Sequence, residues 1–271
     1  MNIVILAAGP GKRMHSQTPK VLHRLGGRAL LSHVFEAAKH LSPKVVCVVY
    51  GHGGESVRQT VGDNAAIWVL QEPQLGTGHA VMQAAPHLDD RWPTLVLYGD
   101  VPLIRAATLK RLIEAAGKGL GLLTATLDNP AGYGRVLRKG KKVVGIVEDK
   151  DASARQRALQ EINTGIVVVP TKKLKSWLAR LQNDNAQKEY YLTDIVGLAT
   201  KERVPAATVT SFITQFAPTD TRSPSFTLPS KTQLTSIATS RPQARFPRTS
   251  QRDGSASATP CSMSASASLR W

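Results

Sequence analysis

The sequence predicts an α/β fold in which a mainly parallel, twisted sheet is covered by helices on both faces. Short apolar runs at 2–6 and 45–50 contain few polar residues, as strands buried on both faces do. Segments with helical periodicity, such as 30–41, separate these runs. Strands that alternate with helices typically form parallel sheets. A chain of 271 residues with 42% hydrophobic residues can bury the core of such a fold.

The elements follow one another through the first 204 residues. The predicted strands are 2–6, 45–50, 67–70, 94–98, 120–127 and 165–169. The predicted helices are 30–41, 55–61, 78–85, 107–116, 174–181 and 192–200. A β-hairpin is expected from 134–139 and 143–148 across Gly140. Ligands bind outside the carboxyl ends of the strands in such sheets, so the loops at 7–13, 51–54, 71–77 and 99–102 are the candidate binding loops.

The chain changes character near Val204. Residues 205–271 hold 13 Ser and 11 Thr, and seven basic against two acidic side chains, so they carry +5 of the net charge of +16. This composition cannot bury enough apolar surface to offset the entropy of ordering. We therefore predict a domain at 1–204 and a tail at 205–271. The tail is either disordered or a non-native continuation, as after a shifted reading frame.

Composition argues against several classes of function. No apolar run approaches the roughly 18 residues of a transmembrane helix. Lys12 and Arg13 follow the first apolar segment, which is the reverse of a signal peptide. Cys47 and Cys261 form neither a disulfide framework nor a metal motif, so we expect a cytoplasmic protein. The basic residues form no long runs interleaved with aromatic residues, so we expect neither nucleic acid nor a membrane as partner.

A glycine-rich loop after the first strand is the first candidate binding site. Residues 6–14 read LAAGPGKRM, and small residues let backbone N–H groups approach a phosphate or a base closely. The dinucleotide pattern G-x-G-x-x-G fails because Met14 replaces its third glycine, and the Walker A pattern is absent. Arg13 and Lys20 add cationic groups suited to phosphate oxygens. The alternative is a structural turn beside two solvated cations.

Eight further motifs follow in order along the chain. They are PKVLH at 19–23, YGHGG at 50–54, QLGTGHA at 74–80, LYGDVPL at 97–103, GYGR at 132–135, GIVE at 145–148, EINTG at 161–165 and EYYLTD at 189–194. With the glycine loop, they resemble the uridylyltransferase (pyrophosphorylase) domain of the bacterial bifunctional N-acetylglucosamine-1-phosphate uridylyltransferase / glucosamine-1-phosphate N-acetyltransferase family. The resemblance covers residues 2 to about 203 and implies a Rossmann-like fold of the nucleotide-diphospho-sugar transferase type.

The resemblance also implies an activity and a set of site residues. The activity is uridylyl transfer from UTP to N-acetylglucosamine 1-phosphate, which gives UDP-N-acetylglucosamine and pyrophosphate for cell-wall precursors. The implied catalytic residues are Arg13, Lys20 and Asp100, and Asp100 would hold Mg²⁺. The implied substrate-binding residues are Leu6, Ala7, Ala8 and Gly9 along uridine; Gln71, Gly76 and Thr77 at uracil, with Tyr98 and Gly99 on the same edge; and Gly134, Glu148 and Asn163 at the sugar. Tyr191 and Thr193 would support these residues.

The implied chemistry suits these residue types. The attacking phosphate is already an anion, so the reaction needs positioning and charge neutralisation rather than a general base. Asp100 follows an apolar strand, and Mg²⁺ prefers one or two carboxylates plus water and phosphate oxygens. The alternative is an aspartate that caps a turn. The seven His residues all precede Leu88 without metal-binding spacing, and we interpret them as packing or loop residues.

The chain departs from the family pattern after residue 204. The family's second metal ligand is an Asn, but no Asn follows Asn185. The acetyltransferase half, which forms the family's trimer, is absent from this sequence, so we expect neither acetyl transfer nor a trimer. Two functions stay open: a truncated Mg²⁺-dependent uridylyltransferase, and a non-catalytic UDP-sugar binder with an incomplete metal site.

Overall fold

Apolar runs at the start of the chain form the centre of a nine-stranded sheet. We describe residues 1–9, 18–51, 54–62 and 66–210 from a computed structural model of the chain. The chain divides after Pro224, and every described residue lies in the first of the two units. Among the described residues, no helix combines the length and apolar character that a membrane crossing requires.

The strands and helices alternate along the chain. The strands are β1 (Asn2–Ala7), β2 (Arg24–Leu25), β3 (Arg28–Ala29), β4 (Val45–Tyr50), β5 (Ile67–Leu70), β6 (Pro93–Tyr98), β7 (Leu120–Thr126), β8 (Arg135–Lys139), β9 (Lys142–Val147), β10 (Glu161–Pro170) and β11 (Ala206–Thr210). The helices are α1 (Leu30–Lys39), α2 (Glu55–Val61), α3 (Thr77–Ala84), α4 (Ala106–Ala116), α5 (Ala154–Arg157), α6 (Thr171–Leu178) and α7 (Asp194–Lys201).

The main sheet has the strand order β11-β7-β10-β6-β1-β4-β5. Its neighbouring pairs are parallel except around β10, which runs antiparallel to both β6 and β7. The hairpin β8–β9 joins the sheet through β10, and β2 and β3 form a separate two-stranded ribbon. The carboxyl ends of β1, β4, β5 and β6 therefore share one edge of the sheet.

Alternate residues of β1 supply the two hydrophobic layers of the core. Ile3 and Ile5 are fully buried in the layer that contains side chains of α1, α2 and α4. Val4 and Leu6 belong to the layer that contains side chains of α3, α6 and α7. Successive side chains of a strand point to opposite faces, so a continuous apolar run fits a strand that is covered on both sides. The predicted fold class is confirmed.

The structure extends the domain beyond the boundary expected at residue 204. Strand β11 pairs in parallel with β7 from Ala206↔Leu120 to Thr210↔Thr124, and Val209 is buried in the core. This strand is five residues long and begins the Ser- and Thr-rich part of the chain, so composition concealed it. The prediction of a disordered or non-native tail now concerns 211–271, which lie outside the described residues.

Other differences are local. Strand β10 begins at Glu161, four residues before the predicted strand, and its first half contains polar residues. The ribbon β2–β3 and the short helix α5 were not predicted, because each is too short to show a period. The hairpin at β8–β9 turns at Gly140 with φ of 60°, as expected.

Candidate active site

The site begins where β1 and β6 end side by side. The Gly99 N–H donates a hydrogen bond to the Leu6 carbonyl oxygen at 2.9 Å, which joins the start of the loop after β6 to the end of β1. Ala7 and Ala8 are buried, whereas Gly9 is exposed and has open space around it. The end of β1 therefore presents backbone rather than bulky side chains at this edge. Arg13, predicted to be catalytic, lies outside the described residues.

A cation and a carboxylate meet at the end of β6. Lys20 begins a 3-10 turn after Pro19, and its Nζ lies 2.5 Å from Oδ2 of Asp100. The two side chains are 43% and 25% exposed, so solvent weakens the pair and a ligand can reach both groups. The fold thus brings together two of the three predicted catalytic residues from segments 80 residues apart.

Gln71 lies at the end of β5 and is almost completely buried. Its N–H donates to the Tyr50 carbonyl at 2.8 Å, which continues the contact between β4 and β5. Its side-chain Nε2 donates to the Gly76 carbonyl oxygen at 2.9 Å. The side-chain amide therefore holds the loop that leads into α3.

Gly76 adopts a backbone conformation that other residues rarely adopt, with φ of 100°. A Cβ at this position would lie 2.8 Å from the Tyr190 carbonyl oxygen, closer than real Cβ atoms come. The same segment is held by Tyr190 N–H to Leu75 O at 2.8 Å and by Leu192 N–H to Thr77 Oγ1 at 3.1 Å. The loop that carries Gly76 and Thr77 is thus fastened to the chain before α7.

Gly134, Glu148 and Asn163 meet on the other side of β6. The Asn163 N–H donates to the Gly134 carbonyl oxygen at 2.8 Å. A Cβ on Gly134 would lie 3.2 Å from Oε2 of Glu148, so the carboxylate lies directly over this glycine. Three strands therefore bring these residues together, because Gly134 precedes β8, Glu148 follows β9 and Asn163 lies in β10.

The carboxyl group of Glu148 is largely buried, and burial is the main cause that raises its pKa above the ordinary value. Thr193 Oγ1 donates to Glu148 Oε1 at 2.9 Å, which opposes this shift. The carboxylates of Asp194, Asp151 and Asp149 add to the rise. Thr193 is therefore in contact with Glu148, one of the residues that the resemblance assigns to the sugar. Tyr191 is also buried nearby.

Tyr98 lies between the two sides of the site. It lines a small cavity with Asn163, Gly165 and Thr193, and a Cβ on Gly165 would collide with the Tyr98 ring. Burial raises the pKa of the Tyr98 hydroxyl, and a hydrogen bond with Thr77 acts in the opposite direction. Tyr98 therefore contacts both sides, whereas the resemblance places it at the uracil edge.

Two residues at this edge were missed as functional candidates. The Arg135 guanidinium is fully buried, lies 3.1 Å from Oδ1 of Asp149, and also donates to the carbonyl oxygens of Tyr133 and Arg157. It fixes the chain beside Gly134. His79 contacts the Gln71 amide from helix α3. Both residues lie in motifs that the sequence analysis quotes, at 132–135 and 74–80, but no role was assigned to them, because both roles depend on contacts that only folding creates.

Comparison with known proteins supports this architecture. The MobA-like NTP transferase domain model matches residues 3–159. The chain is 60% identical over 205 residues to the bifunctional protein GlmU of Herminiimonas arsenicoxydans, covering 75% of this chain and 45% of that protein. It is 59% identical over 211 residues to GlmU of Nitrosospira multiformis, covering 77% of this chain and 46% of that protein. The chain thus spans less than half the length of these curated relatives.

Two solved structures share the fold at low sequence identity. A UDP-glucose pyrophosphorylase complexed with UDP-glucose has a TM-score of 0.62 at 16% identity and covers 76% of this chain and 89% of that chain. A putative glucose-1-phosphate thymidylyltransferase from Bacillus anthracis has a TM-score of 0.63 at 18% identity. The match covers 78% of this chain and 86% of that chain. Since the family model matches more than half of the chain, this protein belongs to the MobA-like NTP transferase domain family and is a nucleotidyltransferase.

Proposed function

We propose that this nucleotidyltransferase moves a uridylyl group from UTP to N-acetylglucosamine 1-phosphate. One observation carries the proposal: the Lys20–Asp100 pair stands at the end of β6, with Gln71 and Gly76 on one flank and Gly134, Glu148 and Asn163 on the other. This order supports a nucleotide and a sugar phosphate whose phosphates meet at the pair. The curated GlmU relatives are consistent with such a reaction.

The reaction is an in-line substitution at phosphorus. A phosphate oxygen of the sugar phosphate bonds to the α-phosphorus of UTP, and the bond from this phosphorus to the bridging oxygen breaks. Pyrophosphate leaves with the electron pair. Two anions must approach each other, so a fixed cation lowers the barrier without any proton transfer. Lys20 and Arg13 are the cations proposed for this role, and the contact between Lys20 and Asp100 supports the assignment of Lys20.

Asp100 fits the role of a magnesium ligand. Its carboxylate is partly exposed at the carboxyl edge of the sheet, and Mg²⁺ is typically held by one or two carboxylates with water and phosphate oxygens. No group of three or more potential metal-binding side chains occurs among the described residues, so substrate phosphates and water would complete the coordination. Bound there, Mg²⁺ would neutralise negative charge on the phosphates.

The residues on the two sides of the Lys20–Asp100 pair are proposed to recognise the uracil base and the sugar. The Gln71 amide and the Gly76–Thr77 loop carry donors and acceptors suited to the polar edge of uracil. Glu148 can accept hydrogen bonds from sugar hydroxyls, and the Asn163 side chain can both donate and accept. Gly134 leaves room for close approach of the N-acetyl group. Both substrates are water-soluble anions, so we propose that the reaction takes place in the cytoplasm.

Pyrophosphate release tests the proposal. We expect the purified chain to release pyrophosphate only when UTP, N-acetylglucosamine 1-phosphate and Mg²⁺ are all present, with UDP-N-acetylglucosamine as the second product. Glucose 1-phosphate in place of the N-acetylated sugar is the control for sugar choice. Binding of UDP-N-acetylglucosamine without turnover would show instead a non-catalytic UDP-sugar binder. If the chain bound neither UTP nor UDP-N-acetylglucosamine, both the enzyme and the binder would be excluded.

A further inference from the structure

The orientation of the Gln71 side-chain amide is determined by its neighbours. The atom 2.9 Å from the Gly76 carbonyl oxygen must be the NH₂ group, because a carbonyl oxygen only accepts hydrogen bonds. The same NH₂ group lies 3.2 Å from Nδ1 of His79. Both of its N–H groups thus have partners inside the protein. Among the described residues, no hydrogen bond reaches Oε1 of Gln71, so the amide offers an acceptor to a ligand.

This orientation requires one particular form of the His79 ring. Nδ1 faces an NH₂ group, so it must be unprotonated and act as the acceptor. Nε2 lies 3.1 Å from the amide atom of Gln83 that is also 3.3 Å from the His79 carbonyl oxygen. A neutral ring accepts at only one nitrogen, and the shorter 2.9 Å bond to Gly76 fixes the Gln71 amide more firmly than the 3.3 Å contact fixes the Gln83 amide. We therefore assign the ring proton to Nε2 and the amide oxygen of Gln83 to the position that faces it. Burial lowers the pKa of His79, which favours the neutral ring near pH 7. The Tyr190 ring, with centroids 6.3 Å apart, restricts the imidazole further.

We propose that His79 is a positioning residue for base selection: its neutral imidazole holds the Gln71 amide so that Oε1 faces the nucleotide base. The inference rests on the proposed function, in which Gln71 lies at the base. An acceptor at this place favours a base that offers a ring N–H. Uracil offers N3–H, whereas cytosine has an unprotonated N3 that would repel Oε1.

Removal of Nδ1 of His79 should weaken the preference for uracil over cytosine. Without Nδ1, the NH₂ group of Gln71 keeps only the Gly76 carbonyl as a partner. The amide can then reverse at lower cost and present its NH₂ group to cytosine N3. A protein site that pairs a polar group discriminates strongly against a ligand that leaves the group unpaired. Loss of His79 should therefore weaken UTP binding and bring the affinity for CTP closer to the affinity for UTP.

The test compares UTP and CTP binding by titration calorimetry for the wild type, His79→Phe and His87→Phe. His87 is exposed just after α3 and makes the matched control. In His79→Phe, we expect the ratio of the dissociation constants for CTP and UTP to fall about tenfold, as the loss of one hydrogen bond predicts. The control should keep the wild-type ratio. A purely structural role for His79 would weaken both nucleotides equally and leave the ratio unchanged.

A measurement on the wild type covers the case in which His79→Phe does not fold. Nitrogen-15 NMR of the imidazole should show an unprotonated Nδ1 and a protonated Nε2 at pH 7. A proton on Nδ1, or an unchanged nucleotide ratio in a folded His79→Phe, would overturn the role of His79 while the proposed function stands. A wild type that binds neither nucleotide would overturn the proposed function and this inference together.

Discussion

Asp100 carries the proposed magnesium site as a single carboxylate, and its partner is a lysine from another loop. We predict that Asp100→Ala lowers turnover by about 100-fold or more, because stabilisation of charge on phosphorus is worth several kcal/mol. UTP binding without metal should change less than about threefold, since the base contacts remain. Steady-state kinetics and calorimetry measure the two effects.

The matched control for this prediction is Asp128→Ala. Asp128 is exposed and follows β7 at the same edge of the sheet, so it reports on loss of a surface carboxylate near the site. The control should retain wild-type turnover. Wild-type turnover in Asp100→Ala would remove Asp100 from the proposed chemistry.

A hydrogen bond from Thr193 opposes the effect of burial on the pKa of Glu148. The bond from Thr193 Oγ1 stabilises the charged carboxylate and lowers its pKa, while burial raises it. Thr193→Val should therefore raise the pKa of Glu148 further. If the carboxylate must be ionised to bind the sugar, the acid limb of kcat/KM for the sugar phosphate should move to higher pH.

Thr200→Val is the control for this pH measurement. Thr200 Oγ1 donates to the Val196 carbonyl oxygen within α7, whereas the Glu148 carboxylate accepts from Thr193. Its pH profile should match the wild type. A profile of Thr193→Val that stays in place, or moves to lower pH, would show that this hydrogen bond does not control the activity.

At the scale of elements, the loop between β5 and α3 depends on its fastening to the segment before α7. Gly76→Ala places a Cβ against the Tyr190 carbonyl oxygen and strains a φ of 100°. We predict a loss of about 2–3 kcal/mol in the free energy of unfolding, which urea denaturation measures. The KM for the nucleotide should rise, because this loop forms the proposed base flank.

Gly140→Ala separates the cost of the positive φ from the cost of the contact with Tyr190. Gly140 also has a positive φ, 60°, but a Cβ there would meet open space. Its substitution should cost only about 1 kcal/mol, the cost of the backbone conformation alone. Equal losses in the two variants would show that contact with Tyr190 adds nothing.

At the scale of the whole molecule, the sheet ends on β11, beyond the predicted domain. We predict that a chain ending at residue 204 melts roughly 5 °C below a chain ending at residue 210, because it loses the ladder to β7 and the burial of Val209. Both chains lack 211–271, so each serves as the reference for the other. Equal melting temperatures, measured by circular dichroism, would show that β11 contributes no stability.

Hydrophobic patterns in the sequence were sufficient to predict the central strands of the sheet. Strands β1, β4 and β6 were predicted within one residue at each end, because strands covered on both faces must be apolar throughout. The first half of β10 was not predicted. It carries Glu161, whose carboxylate pairs with Arg138 of β8 at 2.6 Å, and Asn163, so its polar side chains interrupt the apolar run that predicts a strand.

The sequence by itself determined the fold class and the family, and it predicted the edge of the sheet that carries the candidate site, because these depend on local periodicity and on short motifs. Only the tertiary structure decided which side chains meet. The Lys20–Asp100 pair, the burial of Arg135 and the contact between His79 and Gln71 join residues from separate elements. Such contacts depend on strand order and helix packing, which no local pattern records.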